Sequence, residues 1–449
     1  MKKIILSIFI AITCFQAPAF AYLDPGTGSM LLSALIGIVA TLFFLLKSLY
    51  YKLSGGFLSL FGVKIEKKKH GIVFYSEGKS YWRTFKPVLE ALDKKGIQAT
   101  YLTSSEDDEG LQFESNTIDC KYIGEGNKAY TQLNMLEADV CVMTTPGLDV
   151  LQIQRSKGVK HYAHVVHAPT DAGLYKLYSF DYYDSVLCSG QHQIDSLRYL
   201  EQLRGTEPKL LTHAGCPYMD VLAERLDQEK PVVRDIQGLP HVLIAPTWGN
   251  NGLLKRFGLS LLKPLAEQGY PITIRPHPQS FVAELELMDE LQSKLSDYAN
   301  VQWNRSADNF DVLANSDIMI SDLSGVIFDY AFVFEKPVIT MQFEVNLLGT
   351  EANDLQDRVW ELNVLNQIGK QISVDELALL PELVKSLTTN ANIRQNIVML
   401  RDESLFNYRH SGEVIAQQLI DIQASVNGGE HSLTNISAID TSKKIDLAS

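Results

Sequence analysis

From residue 71 onward, short apolar runs alternate with longer stretches whose apolar positions recur every three or four residues. The short runs lack the polar alternation of a half-solvated strand. They therefore predict strands buried on both faces of parallel sheets, with helices packed between them. The runs fall at Ile72–Tyr75, Gln98–Thr103, Asp139–Thr144, Lys160–Val166, Ser185–Cys188 and Leu210–Ala214. A second set falls at His241–Ala245, Ile272–Ile274, Val301–Trp303, Ile318–Ile320 and Val338–Met341. Helical stretches include Tyr81–Lys94, Val326–Phe334, Val374–Leu387, Asn390–Phe406 and Ser411–Ala424. Ser373 is the N-cap of the third, and Pro381 is expected to divide it. Polar and proline residues interrupt the pattern near Gln228–Pro240, which sets a boundary between two α/β halves, 71–229 and 230–426. Residues 427–449 turn to Gly, Ser, Thr and Asn and are expected to form a disordered tail.

The amino terminus has a different pattern. Lys2 and Lys3, the apolar run Ile4–Phe15 and the small residues Ala19 and Ala21 make residues 1–21 a signal-like leader. A second apolar stretch, Met30–Leu46, is about 17 residues long, near the lower limit for crossing a bilayer. Residues 22–50 are thus expected to hold a connector and a transmembrane helix, followed by a basic juxtamembrane linker at 51–70. Lysines 47, 52, 64, 67, 68 and 69 all follow the apolar stretch, so the rest of the chain is expected on the cytoplasmic side of a bacterial membrane.

Composition narrows the field. A net charge of -13 gives no basic footprint for nucleic acid. The five cysteines have neither zinc-type nor redox-type spacing; Cys14 lies in the leader, and Cys120, Cys141, Cys188 and Cys216 are expected to be buried thiols. No glycine-rich dinucleotide fingerprint or phosphate-loop lysine is present, which argues against a dehydrogenase or a P-loop kinase.

Two segments of the second half carry candidate chemistry. Arg275-Pro276-His277-Pro278 follows the Ile272–Ile274 strand, and Ser321-Asp322-Leu323-Ser324-Gly325 follows Ile318–Ile320 and leads into a helix. Polar groups at the carboxyl ends of parallel strands sit where open α/β sheets bind ligands. A serine-rich turn entering a helix offers hydroxyls, free N–H groups and the positive end of a helix dipole, which suits phosphate. Arginine and histidine on the neighbouring loop would add charge and a titratable donor. Either segment alone is equally well explained as strand-end and helix-cap chemistry; together they favour a phosphate-bearing ligand.

These residues, with Phe328-Asp329-Tyr330, resemble the CDP-glycerol glycerophosphotransferase family of teichoic-acid polymerases and primases. Ala245-Pro246-Thr247-Trp248 resembles the family's Pro-Thr-Trp loop, and Gly78-Lys79-Ser80-Tyr81 its Gly-Lys-x-Tyr loop. His164-Val165-Val166-His167 stands where the family has Trp-His-Gly. Gly249 replaces the family's usual arginine, and Ala168 its glycine. The resemblance spans roughly Ile72 to Met341. It implies two Rossmann-like domains in a glycosyltransferase-B (GT-B) arrangement, an acceptor half and a nucleotide-donor half. The implied partners are a CDP-linked polyol donor, a glycan or lipid-linked acceptor and the membrane, with no separate cofactor. His167 is the expected general base and His277 a catalytic partner at the donor phosphate. Arg275, Ser321, Asp322, Ser324, Gly325, Thr247 and Trp248 are expected to form the donor site, Trp248 stacking on the base. Asp322 would orient His277 or cap the helix. Gly78, Lys79 and Lys176 are expected on the acceptor side. His164, three residues before His167, falls on the opposite strand face and is expected to be structural. Asp329 and Glu335 are either ribose or base ligands or simply exposed. Because the charge set needs no carboxylate pair, no metal ligand is expected. Two alternatives stay open: a sugar-nucleotide GT-B enzyme or UDP-N-acetylglucosamine 2-epimerase relative, and a non-catalytic membrane-tethered domain that binds a polyanion.

Overall fold

The computed structural model describes residues 70–229, 238–306, 308–342 and 347–428. All of these lie in one compact unit. The leader, the Met30–Leu46 stretch, the linker up to residue 69 and the tail from residue 429 fall outside the described residues, while Asn427 follows the last helix and donates to Asp139 at 2.9 Å. Among the described residues no helix is long and apolar enough to cross a membrane.

The first half carries seven parallel strands: β1 (His70–Ser76), β2 (Ala99–Thr103), β3 (Ile118–Tyr122), β4 (Glu137–Met143), β5 (Gly158–Val165), β6 (Ser185–Cys188) and β7 (Leu210–His213). They are ordered β3-β2-β1-β4-β5-β6-β7. The second half carries β8 (Val242–Ile244), β9 (Ile272–Ile274), β10 (Val301–Trp303), β11 (Ile318–Ser321), β12 (Val338–Met341) and β13 (Gly369–Ile372), ordered β10-β9-β8-β11-β12-β13 and again all parallel. Both are doubly wound sheets whose order reverses beside the first strand, β1/β4 in one and β8/β11 in the other. Such switch points open a crevice at the carboxyl ends of the strands.

The central strands match the apolar runs because helices cover both faces; β1, β4, β8 and β11 are buried almost throughout. Sequence patterning passes over β3 and β13. Each pairs on one side only, and each is rich in polar residues, Ile-Asp-Cys-Lys-Tyr and Gly-Lys-Gln-Ile. The predicted Val374–Leu387 stretch is divided as expected, into a 3-10 helix, Val374–Leu379, and an α-helix, Leu380–Thr389. Pro381 sits in the first turn of the α-helix, where its missing N–H costs nothing. The 3-10 helix opens behind a Ser373/Glu376 capping box. Cys141, Cys188 and Cys216 are buried thiols, and Cys120 is half-buried.

One assignment needs correction. The final helix, Ser411–Val426, was expected within the second half but packs on the first. Ile415, Ala416, Leu419 and Ile422 join the core formed by Phe85, Val88 and Leu89. Gly412 permits the approach, since a Cβ there would come within 2.6 Å of Pro87. Gln418 then pairs with the Thr212 hydroxyl at 2.9 Å and the His213 carbonyl at 3.0 Å. An apolar face three residues wide predicts a helix but carries no address for the partner that covers it.

Candidate active site

On the second sheet, the loops after β8, β9 and β11 lie side by side at the switch point. The β11 loop holds the other two in place. Asp322, buried, accepts N–H groups from Thr247 at 2.9 and 3.0 Å and from Leu253 at 2.9 Å. Its carboxylate thus secures the β8 loop and the start of the Leu253–Glu267 helix, and no bond joins it to His277 in the described structure. Burial raises its pKa, and the backbone N–H groups oppose that rise. Ser321 is also buried and donates its hydroxyl to the Ala245 carbonyl at 2.5 Å. In the described structure both side chains brace the β8 loop, Ser321 through its hydroxyl and Asp322 through its carboxylate.

Open donors remain one turn further on. The Ser324 hydroxyl and the N–H groups of Gly325 and Val326 have no partner among the described residues, at the positive end of the Val326–Phe334 helix. On the β9 loop, His277 accepts the Gln279 N–H at Nδ1, 3.1 Å away. That bond places the neutral ring's proton on Nε2, which becomes a donor aimed away from the loop. Burial lowers the pKa of His277, favouring this neutral form. Arg275 donates through Nη1 to Asn304 at 2.5 Å and to the Ser306 carbonyl at 2.8 Å, leaving Nη2 and Nε for a ligand. Trp248 is 46% exposed, its ring 6.4 Å from that of His277, so a flat wall stands beside the polar set.

On the first sheet, His167 lies two residues beyond β5. Its Nδ1 meets the Thr144 hydroxyl at 2.9 Å, and Nε2 has no partner among the described residues. Tyr81 and Tyr175 approach edge-on, with centroids 5.3 and 6.1 Å away. Burial pushes the His167 pKa down to about 4, so the ring is neutral and basic at physiological pH. Three residues earlier, His164 faces the core between Phe180 and Tyr183, with both nitrogens unpartnered and its pKa held down at about 3 by burial. His164→Phe should fold with equal or greater stability and keep turnover within about threefold, because it removes a desolvated polar group without leaving another unpaired. Loss of turnover in a stable His164→Phe protein would move the catalytic role to this residue.

The two sets face each other. A methyl on Gly325 would stand 3.9 Å from both the Ala168 Cβ and the Thr170 Cγ2, so the donor-helix start lies against the loop that carries His167. Of the other expected residues, Gly78 is an extended turn residue whose carbonyl accepts from Ser76 and Tyr81. Lys79 is ion-paired with Asp107. Lys176 is exposed and bridges to Thr350 through its backbone. Asp329 is not exposed: it is buried with Oδ1 unpartnered, and burial alone raises its pKa to about 7. Glu335 caps the end of the same helix and pairs with Arg394 and Arg401. Sequence patterning missed Thr144, which fixes the ring of His167. It also missed Asp308, which joins Arg83 of the first half to Arg225. Among the described residues there is no group of three or more metal-type ligands.

The family model for CDP-glycerol:poly(glycerophosphate) glycerophosphotransferases matches residues 58–359, more than half of the chain. The chain belongs to that family. It is an enzyme of the CDP-glycerol glycerophosphotransferase type. No curated protein sequence matches it. Among solved structures it is similar to the wall teichoic acid polymerase TagF, at 16% identity and a TM-score of 0.50, over 85% of this chain and 98% of that one. A putative UDP-N-acetylglucosamine 2-epimerase from Listeria monocytogenes is similar at 10% identity and a TM-score of 0.51, over 81% and 98%. The UDP-GlcNAc 2-epimerase of Methanocaldococcus jannaschii is similar at 14% and 0.51, over 78% and 99%. At these identities the likeness is one of fold, the GT-B arrangement of two α/β halves.

Proposed function

We propose that this member of the family moves glycerol phosphate, or a related polyol phosphate, from a CDP-linked donor to a hydroxyl of a cell-envelope glycan or lipid. The observation that carries the reading is the His167 loop lying against the unpartnered donors at Ser324, Gly325 and Val326. In the proposed reaction the acceptor oxygen attacks the phosphorus that bears the polyol. The bond from that phosphorus to the oxygen bridging to CMP breaks, and CMP leaves with that oxygen. The acceptor proton passes to Nε2 of His167. Ser324, the two N–H groups, Arg275 and His277 Nε2 neutralise the diphosphate, and Trp248 stacks on the cytosine. Most of the barrier in such a transfer is positioning and charge, which this residue set supplies.

A donor panel tests the reading. With CDP-glycerol, CDP-ribitol and UDP-N-acetylglucosamine, CMP release from a CDP-linked donor is expected. UDP release alone would favour the sugar-nucleotide reading, and no release from any donor the polyanion-binding one. We further propose that residues 64–449 lie on the cytoplasmic face of a bacterial membrane, from the lysines that follow Met30–Leu46. A reporter fused after Ser449 should be active as a cytoplasmic fusion; alkaline phosphatase activity there would reverse the topology.

A further inference from the structure

The loop that carries His167 is held by a chain of contacts reaching into the donor half, and the proposed function gives none of those residues a role. From the first half, His192 Nε2 meets the Pro169 carbonyl at 2.9 Å, and Gln193 donates to the Thr170 carbonyl at 2.6 Å. Burial pushes the His192 pKa down to about 4, so the ring is neutral and its Nε2–H is the donor. The ring of His192 stacks on Trp360 of the second half, with centroids 4.1 Å apart and planes 17° from parallel. The Trp360 ring also meets Phe328, with centroids 4.9 Å apart, in the first turn of the helix that begins beside Ser324 and Gly325.

A second set of bonds runs alongside the rings. Asp171 is fully buried and accepts the Trp360 N–H at 3.2 Å and the Ser196 hydroxyl at 2.8 Å. Its own N–H donates to Glu361 Oε1 at 2.6 Å, while Glu361 Oε2 is buried with no partner. Burial raises both carboxyl pKa values, and the charge of Asp171 raises that of Glu361 further. A buried pair of acids across two halves is costly to maintain as a mere surface contact. Here it ties the backbone of Asp171, at the end of the loop, to the facing Trp360 segment.

We propose that Trp360 and Glu361 are positioning residues for the transfer reaction, holding the Ala168–Asp171 loop in register with the phosphate-binding end of the Val326–Phe334 helix. The chain His167 loop, Asp171, Trp360, Phe328, helix start is continuous, so a shift of the Trp360 segment displaces acceptor base and donor phosphate relative to each other. In-line transfer tolerates little such displacement, and about 1 Å is enough to cost on the order of 100-fold in rate. The role in turnover rests on the proposed function; the restraint of the loop does not.

The test compares Trp360→Ala with Trp360→Phe in the full chain, by three measurements. Amide hydrogen exchange of Ala168, Thr170 and Asp171 should quicken at least about tenfold in Trp360→Ala, with the amides of β5 unchanged. CMP release from CDP-glycerol, with a short glycerol phosphate oligomer as acceptor, should fall about 100-fold in kcat while CMP affinity stays within about threefold. Trp360→Phe, which keeps a stacking ring, should restore most of both. If Trp360→Ala does not fold, Trp360→Leu keeps much of the volume without the ring and carries the same expectations. Wild-type exchange rates in the loop of a folded variant would overturn the proposal. So would a loss of CMP affinity as large as the loss of rate. If the wild-type chain releases no CMP from CDP-glycerol, the functional reading fails, and the exchange result alone decides the latch.

Discussion

His167→Ala should lower polyol phosphate transfer by about 10²–10⁴-fold, the usual cost of removing a general base. CMP binding should survive, because the residue stands on the acceptor half and touches none of the donor loops in the described structure. The pH profile adds a sharper expectation. With the His167 pKa pushed down to about 4, the basic form persists in the free enzyme until the pH falls through that value. A bound diphosphate brings negative charge near the ring and favours its protonation. The acid limb of kcat should therefore lie at higher pH than that of kcat/KM, which reports the free enzyme. Equal limbs, or full activity of the alanine variant, would remove His167 from the proton transfer.

The second large effect is expected at the donor loops. Ser324→Ala or Arg275→Ala should weaken donor binding or turnover at least about tenfold, since one charge-assisted contact contributes about 1.5–3 kcal/mol. The braces should behave differently. Asp322→Ala leaves two backbone N–H groups, those of Thr247 and Leu253, without an acceptor, so it should lower thermal stability together with donor affinity, whereas Ser324→Ala should lower affinity alone. Calorimetric titration with CMP beside a melting curve separates the two. Unchanged kinetics in folded Ser324→Ala and Arg275→Ala would return these loops to a structural role.

How far the sequence went depended on how local each signal was. Buried parallel strands announce themselves, because both faces must be apolar, and the runs at Ile272–Ile274 and Val338–Met341 match their strands residue for residue. The polar edge strands β3 and β13 do not. The strand-end loops were legible as a set, since parallel topology brings them together whatever their details. The task of each polar atom within a loop was not. Ser321, Asp322 and Ser324 look alike in the chain, yet two are consumed in bracing and one is left open. That division depends on which neighbour arrives from β8, a tertiary fact. The same limit applies to the Ser411–Val426 helix and to Trp360. Their partners are distant in sequence, and their own patterns predict burial without saying against what.

The most direct test of the central claim follows the polyol itself. The full chain is incubated with CDP-glycerol labelled in the glycerol and a short glycerol phosphate oligomer, and both products are quantified. The account predicts that label moves onto the oligomer in a one-to-one ratio with CMP release, and that His167→Ala abolishes both while still binding CMP. CMP release with no label on the oligomer or on any other acceptor offered, or transfer undiminished in His167→Ala, would contradict it.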